Sequence, residues 1–129
     1  MLADILSTRE NELWSNDVPA SWFCLDFGAK RTIIVTSYVL RHGGNYRADS
    51  LRNWDLQGSM DGWHWEVLMS HRHDQSLQGP FAIAHWEVPE HNHKAVRFCR
   101  VLQTGHNSSS RNFLVLSNIE LFGKVFDTK

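Results

Sequence analysis

The side chains able to do chemistry in this 129-residue chain gather mostly in three polar stretches, and their types suit binding better than bond-breaking. Stretch 42–52 carries Tyr46, Arg47 and Arg52; stretch 70–80 carries His71, Arg72, His73 and Gln75; stretch 104–112 carries His106, Asn107, Arg111 and Asn112 around a run of serines. Guanidinium groups supply forked donors, imidazoles and amides supply neutral hydrogen bonds, and a tyrosine supplies an amphipathic anchor. Four of the nine arginines lie here against two acids, Asp49 and Asp74, on a chain whose formal net charge is −1. A locally positive surface and an acidic partner are the expectation.

Other chemistries are poorly served. Serine, histidine and aspartate are plentiful, but no Gly-x-Ser-x-Gly elbow, phosphate-cradling glycine loop or nucleophile with a recognisable setting occurs, so no catalysis is expected. His71-x-His73-Asp74 and His91-x-His93 have spacings zinc could use, yet a structural site takes about four converging ligands, and neither a metal nor a cofactor is expected. The balanced charge gives no global signal for nucleic acid. No apolar run approaches the roughly 20 residues a membrane helix needs, and the opening Met1 to Leu6 lacks the basic flank and cleavage site of a secretory signal. An intracellular protein, monomeric as an isolated domain, is expected. Cys24 and Cys99 sit in apolar runs, where a free thiol acts as a small hydrophobe; a disulfide between them stays open at this level.

The elements that must position the polar stretches read as strands. After a polar, helical or frayed start over 7–16, apolar runs recur at 22–27, 32–40, 54–59, 63–68, 81–87, 95–103 and 113–122, the last with a possible extension to 126. Turn-forming clusters separate them, which is an all-β rhythm. Asp61-Gly62 supplies positive-φ geometry for a hairpin, making both residues structural. If each strand crosses a two-sheet sandwich once, successive connections alternate between its ends. The turns at 28–31, 60–62 and 89–94 then share one end, and the three polar stretches share the other. Five tryptophans, Trp22, Trp54, Trp63, Trp65 and Trp86, lie in or beside strands, where core or hairpin packing is expected, with Trp63 the more exposed.

The stretch Leu56-Gln57-Gly58-Ser59-Met60-Asp61-Gly62-Trp63-His64-Trp65-Glu66-Val67-Leu68 resembles the Ser-x-Asp-Gly, x-x-Trp-x-x-Leu hairpin of the galactose-binding-like superfamily, the discoidin or coagulation factor 5/8 type C domains. Trp22 to Gly28, Val96 to Val101 and Ile119 to Gly123 resemble three further strands of that pattern, so the likeness covers about 20–123. Tyr38-Val39-Leu40-Arg41-His42, Leu51-Arg52-Asn53-Trp54 and Gln57-Gly58-Ser59 resemble the intracellular subtype attached to BTB-domain proteins and HECT-type ubiquitin ligases. The resemblance implies one domain over 1–129, an eight-stranded antiparallel jelly-roll β-sandwich, with 1–19 an N-terminal extension or first strand. It implies a recognition module that meets a protein or peptide through loops at one end, with carbohydrate as the alternative ligand. Membrane binding is not expected, because the paired apolar loop tips of the clotting-factor relatives have no counterpart here.

The same pattern implies that Trp65 and Leu68 point inward as structural residues. It also places Arg100 and Glu120 in strands that are otherwise apolar. Either they form a buried ion pair that fixes register, whose loss costs about 3–5 kcal/mol, or they are two unrelated solvent-facing charges.

Overall fold

The computed structural model describes residues 17–43 and 47–127, together with the backbone of the short strands at 3–6 and 13–14. The strands are β1 (Ala3–Leu6), β2 (Leu13–Trp14), β3 (Trp22–Asp26), β4 (Arg31–His42), β5 (Trp54–Ser59), β6 (Glu66–His71), β7 (Ile83–Glu87), β8 (Ala95–Val96), β9 (Phe98–Gln103) and β10 (Val115–Asp127), with one 3-10 turn at Glu90–Asn92. One sheet runs β1-β10-β4-β7, with β2 attached to β10 and β8 to β4; the other runs β3-β9-β5-β6. With the two-residue bridges β2 and β8 set aside, this is the expected eight-stranded antiparallel sandwich. The helical or frayed reading of 7–16 is corrected at Leu13–Trp14, which pairs with Val115 and Leu116; the remainder of that stretch lies outside the described residues.

Strand alternation builds the core. In β4, Ile33 and Val35 face inward, and then Tyr38, Leu40 and His42 do, because the register against β10 slips between Gly123↔Val35 and Phe122↔Ser37. A bulge of one residue at Thr36 reverses the parity. Facing them are Trp54 and Leu56 of β5, Leu68 of β6, and Cys99 and Val101 of β9, all at most 2% exposed. Leu51, Leu77 and Leu114 come from the long connections, yet they too are buried in this core. Each such side chain is worth roughly 1.5–3 kcal/mol, so the loops are nailed to the body they decorate.

Three sequence expectations need correction here. Trp65 does not point inward. The Asp61 carboxylate gathers the N–H groups of Trp63 and His64, both at 2.8 Å, so the turn runs on and β6 begins only at Glu66. Leu68 takes the inward place, and Trp65 is left half-buried on the outer face under the Arg100 guanidinium, 3.9 Å from its ring centroid. Trp22 is likewise exposed rather than packed, at 53%, whereas the 87% exposure of Trp63 agrees with its place beside the turn. Finally, Arg100 and Glu120 do not pair: they lie on β9 and β10, in different sheets, and Arg100 Nε donates to Gln57 Oε1 at 2.8 Å. Arg100→Ala is therefore expected to cost only about 1–2 kcal/mol, the worth of one hydrogen bond and a cation–π contact. Thermal melting of the variant checks this; a loss approaching 4 kcal/mol would point back to a buried ion pair.

Cys24 and Cys99 are free thiols on opposite faces of their sheet. Cys24 sits beside Arg100 on the outer face, while Cys99 is in the core, where burial pushes its thiol up to about 12.

Candidate functional site

The three polar connections meet on one rim, as the alternation of strands requires, and side chains tie them together. Asn53, the residue before β5, is the strut: its Oδ1 accepts the His73 N–H and its Nδ2 donates to the His106 carbonyl, each at 3.0 Å. Ser50 N–H donates to Ser108 Oγ, and Ser108 N–H donates back to the Ser50 carbonyl, both at 2.9 Å. Asp49 is the second hub. Its buried carboxylate accepts Asn107 Nδ2 at 3.0 Å and the Arg111 fork through Nε at 2.9 Å and Nη2 at 2.6 Å. A carboxylate with that many donors and a forked counter-ion is a strong local clamp.

Beneath the rim lies a buried relay. Trp54 Nε1–H donates to Tyr38 Oη at 3.1 Å, and the Tyr38 hydroxyl meets His71 Nε2 at 2.5 Å. On the far side of the imidazole, His71 Nδ1 lies 2.9 Å from Asp74 Oδ2, which also takes the Trp86 indole N–H at 3.2 Å. The His71 ring stacks on Trp54 with centroids 4.0 Å apart. One tautomer satisfies every group: His71 donates from Nδ1 and accepts at Nε2. Burial depresses the His71 pKa, outweighing the pull of Asp74. Burial alone would raise Asp74, but the Ser76 amide and hydroxyl and His71 together hold it below the usual carboxylate range. Burial drives Tyr38 well above its ordinary value.

This geometry sorts the expected binding residues. Arg47, Arg72, His73, Gln75, His106 and Arg111 are exposed on the rim, and Arg52 and Asn112 are half-buried at its base. His71 and Asn107 are buried, with their polar atoms engaged internally, so they shape the rim rather than face a ligand. Tyr46 lies outside the described residues. The positive surplus is also smaller than the loop sequences suggest, because acids inside the fold answer three-dimensionally near arginines: Arg111 pairs with Asp49, and Arg72 pairs at 3.1 Å with Asp55, a strand residue. Both arginine side chains nonetheless stay about half exposed, at 47% and 55%. Arg72 bonds through Nη1 alone and Arg111 leaves Nη1 free, so both still offer donors outward. Arg52 donates to Gln78, and Arg47 has no ion-pair partner among the described residues.

Sequence reasoning missed Asn53, Tyr38, Asp74 and Trp86 as organisers. Asn53 carried a signal, since it sits in the Leu51-Arg52-Asn53-Trp54 motif. Tyr38 lies in the Tyr38-Val39-Leu40-Arg41-His42 motif, but its inward direction depends on the Thr36 bulge and carried no signal. The histidine pairs do not assemble: both His71 nitrogens serve the relay, and His93 Nε2 lies 2.8 Å from the Val88 carbonyl. No helix among the described residues is long and apolar enough to cross a membrane.

Solved structures share this architecture. A CBM32 module from a family 31 glycoside hydrolase of Clostridium perfringens superposes with a TM-score of 0.63 at 15% identity, covering 86% of this chain and 75% of that one. The lectin domain of lectinolysin, complexed with Lewis B antigen, gives 0.67 at 18% identity, covering 88% and 72%. The fold is thus that of the galactose-binding-like, discoidin-type sandwiches. No protein-family model matches the chain. In sequence it is 38% identical over 127 residues to E3 ubiquitin-protein ligase hecd-1 of Caenorhabditis elegans, and 40% identical over 129 residues to E3 ubiquitin-protein ligase Ufd4 of Drosophila melanogaster. A BTB/POZ domain-containing protein of Arabidopsis thaliana is 33% identical over 108 residues, a match that takes in 81% of this chain. These relatives match the subtype to which the motifs at 38–42 and 51–54 pointed. The chain spans 5% of the length of each ligase and 13% of the BTB/POZ protein.

Proposed function

We propose that this chain is a non-catalytic recognition module that holds a protein or peptide partner on its loop rim, acting inside the cell as the partner-recruiting part of a larger ubiquitin-ligase or BTB-adaptor-like protein. The observation that carries the reading is the rim itself: three connections locked by Asn53, Asp49 and Ser108 present exposed arginine, histidine and glutamine side chains on one surface. Preorganised polar groups on a rigid scaffold lose little entropy on binding, which favours affinity. The relatives in ubiquitin ligases give the setting, since a domain occupying so little of each ligase suits an accessory role. Partial internal pairing of the arginines makes the rim a donor of forked hydrogen bonds more than a block of positive charge. Acidic or carbonyl-rich partners fit it; nucleic acid and membrane do not.

Carbohydrate is the second reading, and the neighbours named as a CBM32 module and a lectin domain favour it. One experiment separates the two. The triple variant Arg47→Ala, Gln75→Ala, His106→Ala removes exposed groups that no internal bond uses through its side chain, so its melting temperature should match the parent's. Proteins retained by the parent in an affinity pull-down should be lost from the variant, with a glycan array silent for both. Unchanged retention moves the site off the rim, and saturable glycan binding that the variant abolishes installs the carbohydrate reading.

A further inference from the structure

The outer face of the β3-β9-β5-β6 sheet carries charges that are nearly all answered. Arg97 forks onto Asp26 through Nε at 2.9 Å and Nη2 at 3.0 Å, and Arg72 meets Asp55 at 3.1 Å. Arg100 is the exception. It is half-buried, directly across from Cys24 on β3 and Gln57 on β5, and no carboxylate among the described residues pairs with it. Its Nε donates to Gln57 Oε1, while the amide end of Gln57 turns to Asp55 at 3.4 Å, so Arg100 reaches that acid only through a neutral residue. Neither Nη group has an acceptor among the described residues. The guanidinium lies 3.9 Å from the Trp65 ring centroid and 5.9 Å from that of Trp22.

Such an arrangement is incomplete. Taking a cation partly out of water against indole rings without a counter-charge is unfavourable, and the cation–π attraction offsets only part of that cost. The two Nη groups together offer a fork of the shape a carboxylate accepts bidentately. Around it the face is apolar: Trp22 and Val67 are exposed at 53% and 44%, with Leu102 half-buried beside them. A sugar acid would call for several free hydrogen-bonding groups to take its hydroxyls, whereas Gln57 is already engaged. Meanwhile β3 is an edge strand that pairs only with β9 among the described residues, so an extended chain can lie along it. We propose that Arg100, held against Trp65 and Trp22, is a docking point for the carboxylate of an acidic side chain in an extended partner polypeptide lying along β3, with a flanking apolar side chain of the partner resting on Trp22. This is a second contact surface, separate from the loop rim and independent of what the rim binds.

The test is a nuclear magnetic resonance titration of the 129-residue chain with a capped peptide alternating leucine and glutamate, following the Arg100 Nε–H and the Trp22 and Trp65 indole N–H signals. A saturable shift of these signals is expected, weakened by added salt, and lost when glutamine replaces every glutamate. Arg100→Lys keeps the charge but not the fork and should weaken binding about tenfold; Trp22→Ala, at an exposed position that leaves the core intact, should weaken it several-fold. Equal shifts from the glutamine peptide, unchanged affinity in Arg100→Lys, or shifts confined to the rim residues Arg47 and His106 would each overturn the site. Saturation of the same signals by N-acetylneuraminic acid, with the peptide inert, would overturn the choice of occupant.

Discussion

Gly123→Ala is expected to destabilise the domain by about 4 kcal/mol or more, enough to leave much of it unfolded near physiological temperature. A Cβ built at this position would lie 1.8 Å from the Ile34 carbonyl oxygen and 3.1 Å from the Thr36 amide nitrogen. Both obstacles are backbone, so no rotamer change can relieve them. The cause is the bulge: Thr36 is the extra residue between the pairs Gly123↔Val35 and Phe122↔Ser37, and its hydroxyl donates to the Phe122 carbonyl at 3.2 Å. At this bulge the β4 backbone comes so close to β10 that only a residue without a side chain fits opposite. Relief would mean parting β10 from β4 along a ladder that runs from Leu116↔His42 to Asp127↔Arg31. Gly28→Ala is the control. That glycine has φ +97 but nothing within 4 Å of its built Cβ, so alanine should cost only the backbone strain, about 1–2 kcal/mol. Urea titration of the two variants compares them directly; similar losses would mean that the β4–β10 contact yields more easily than backbone atoms should.

The same bulge explains much of what could and could not be read from residues alone. Where alternation is uninterrupted, as in β9, position and direction were both legible: Cys99 and Val101 turn inward, and Arg100 must therefore turn out. The family's strand pattern obscured that parity argument by suggesting an internal partner for Arg100. In β4 the alternation breaks at Thr36, so nothing in the order of residues announces that Tyr38 enters the core beside Trp54. The gathering of the three connections on one rim was legible because it follows from counting strand crossings. The charge of that rim was not, since Asp55 answers Arg72 from an adjacent strand and Asp49 turns inward to hold Arg111. Pairing of side chains between loops distant in sequence is a property of the folded surface, and composition counts only the groups present.

A consequence is that recognition and stability share residues at this end of the sandwich. Arg111 offers an outward donor while its other nitrogens clamp Asp49, so its removal would lower stability as well as affinity. Arg47 and His106 present side chains without such duties. Binding experiments on the rim should rely on the latter, because a loss of affinity in an Arg111 variant could reflect loosening of 104–112 instead of a lost contact.

Asp74→Ala is expected to cost about 3 kcal/mol, and to do so by orphaning donors rather than by emptying space. The carboxylate accepts from His71 Nδ1, Trp86 Nε1, and the amide and hydroxyl of Ser76. Each buried donor left without an acceptor costs about 1–3 kcal/mol, and His71, at 4% exposure, has little access to water. The relay also sets an acid limit. Protonating His71 puts a hydrogen on Nε2, which would then face a Tyr38 oxygen already taking the Trp54 N–H, so the hydroxyl proton would have no acceptor. Because the folded pKa of His71 lies below its ordinary value near 6.5, the unfolded chain binds the proton first. Its contribution is therefore fully present above that value and is lost as pH falls from about 6.5 toward the depressed folded pKa. His64 acts in the opposite sense: its bond to Asp61 raises its pKa, so whatever it adds is present at low pH and lost as pH rises through the folded value. Unfolding midpoints measured from pH 7.5 to 5 should fall for the parent, fall more steeply for His64→Ala, and stay level or rise slightly for His71→Phe, which keeps the stack on Trp54 but cannot titrate and leaves His64 to act alone. A His71→Phe profile as steep as the parent's would show that the acid sensitivity arises elsewhere, and that the imidazole is held by packing on Trp54 without strain toward its charged form.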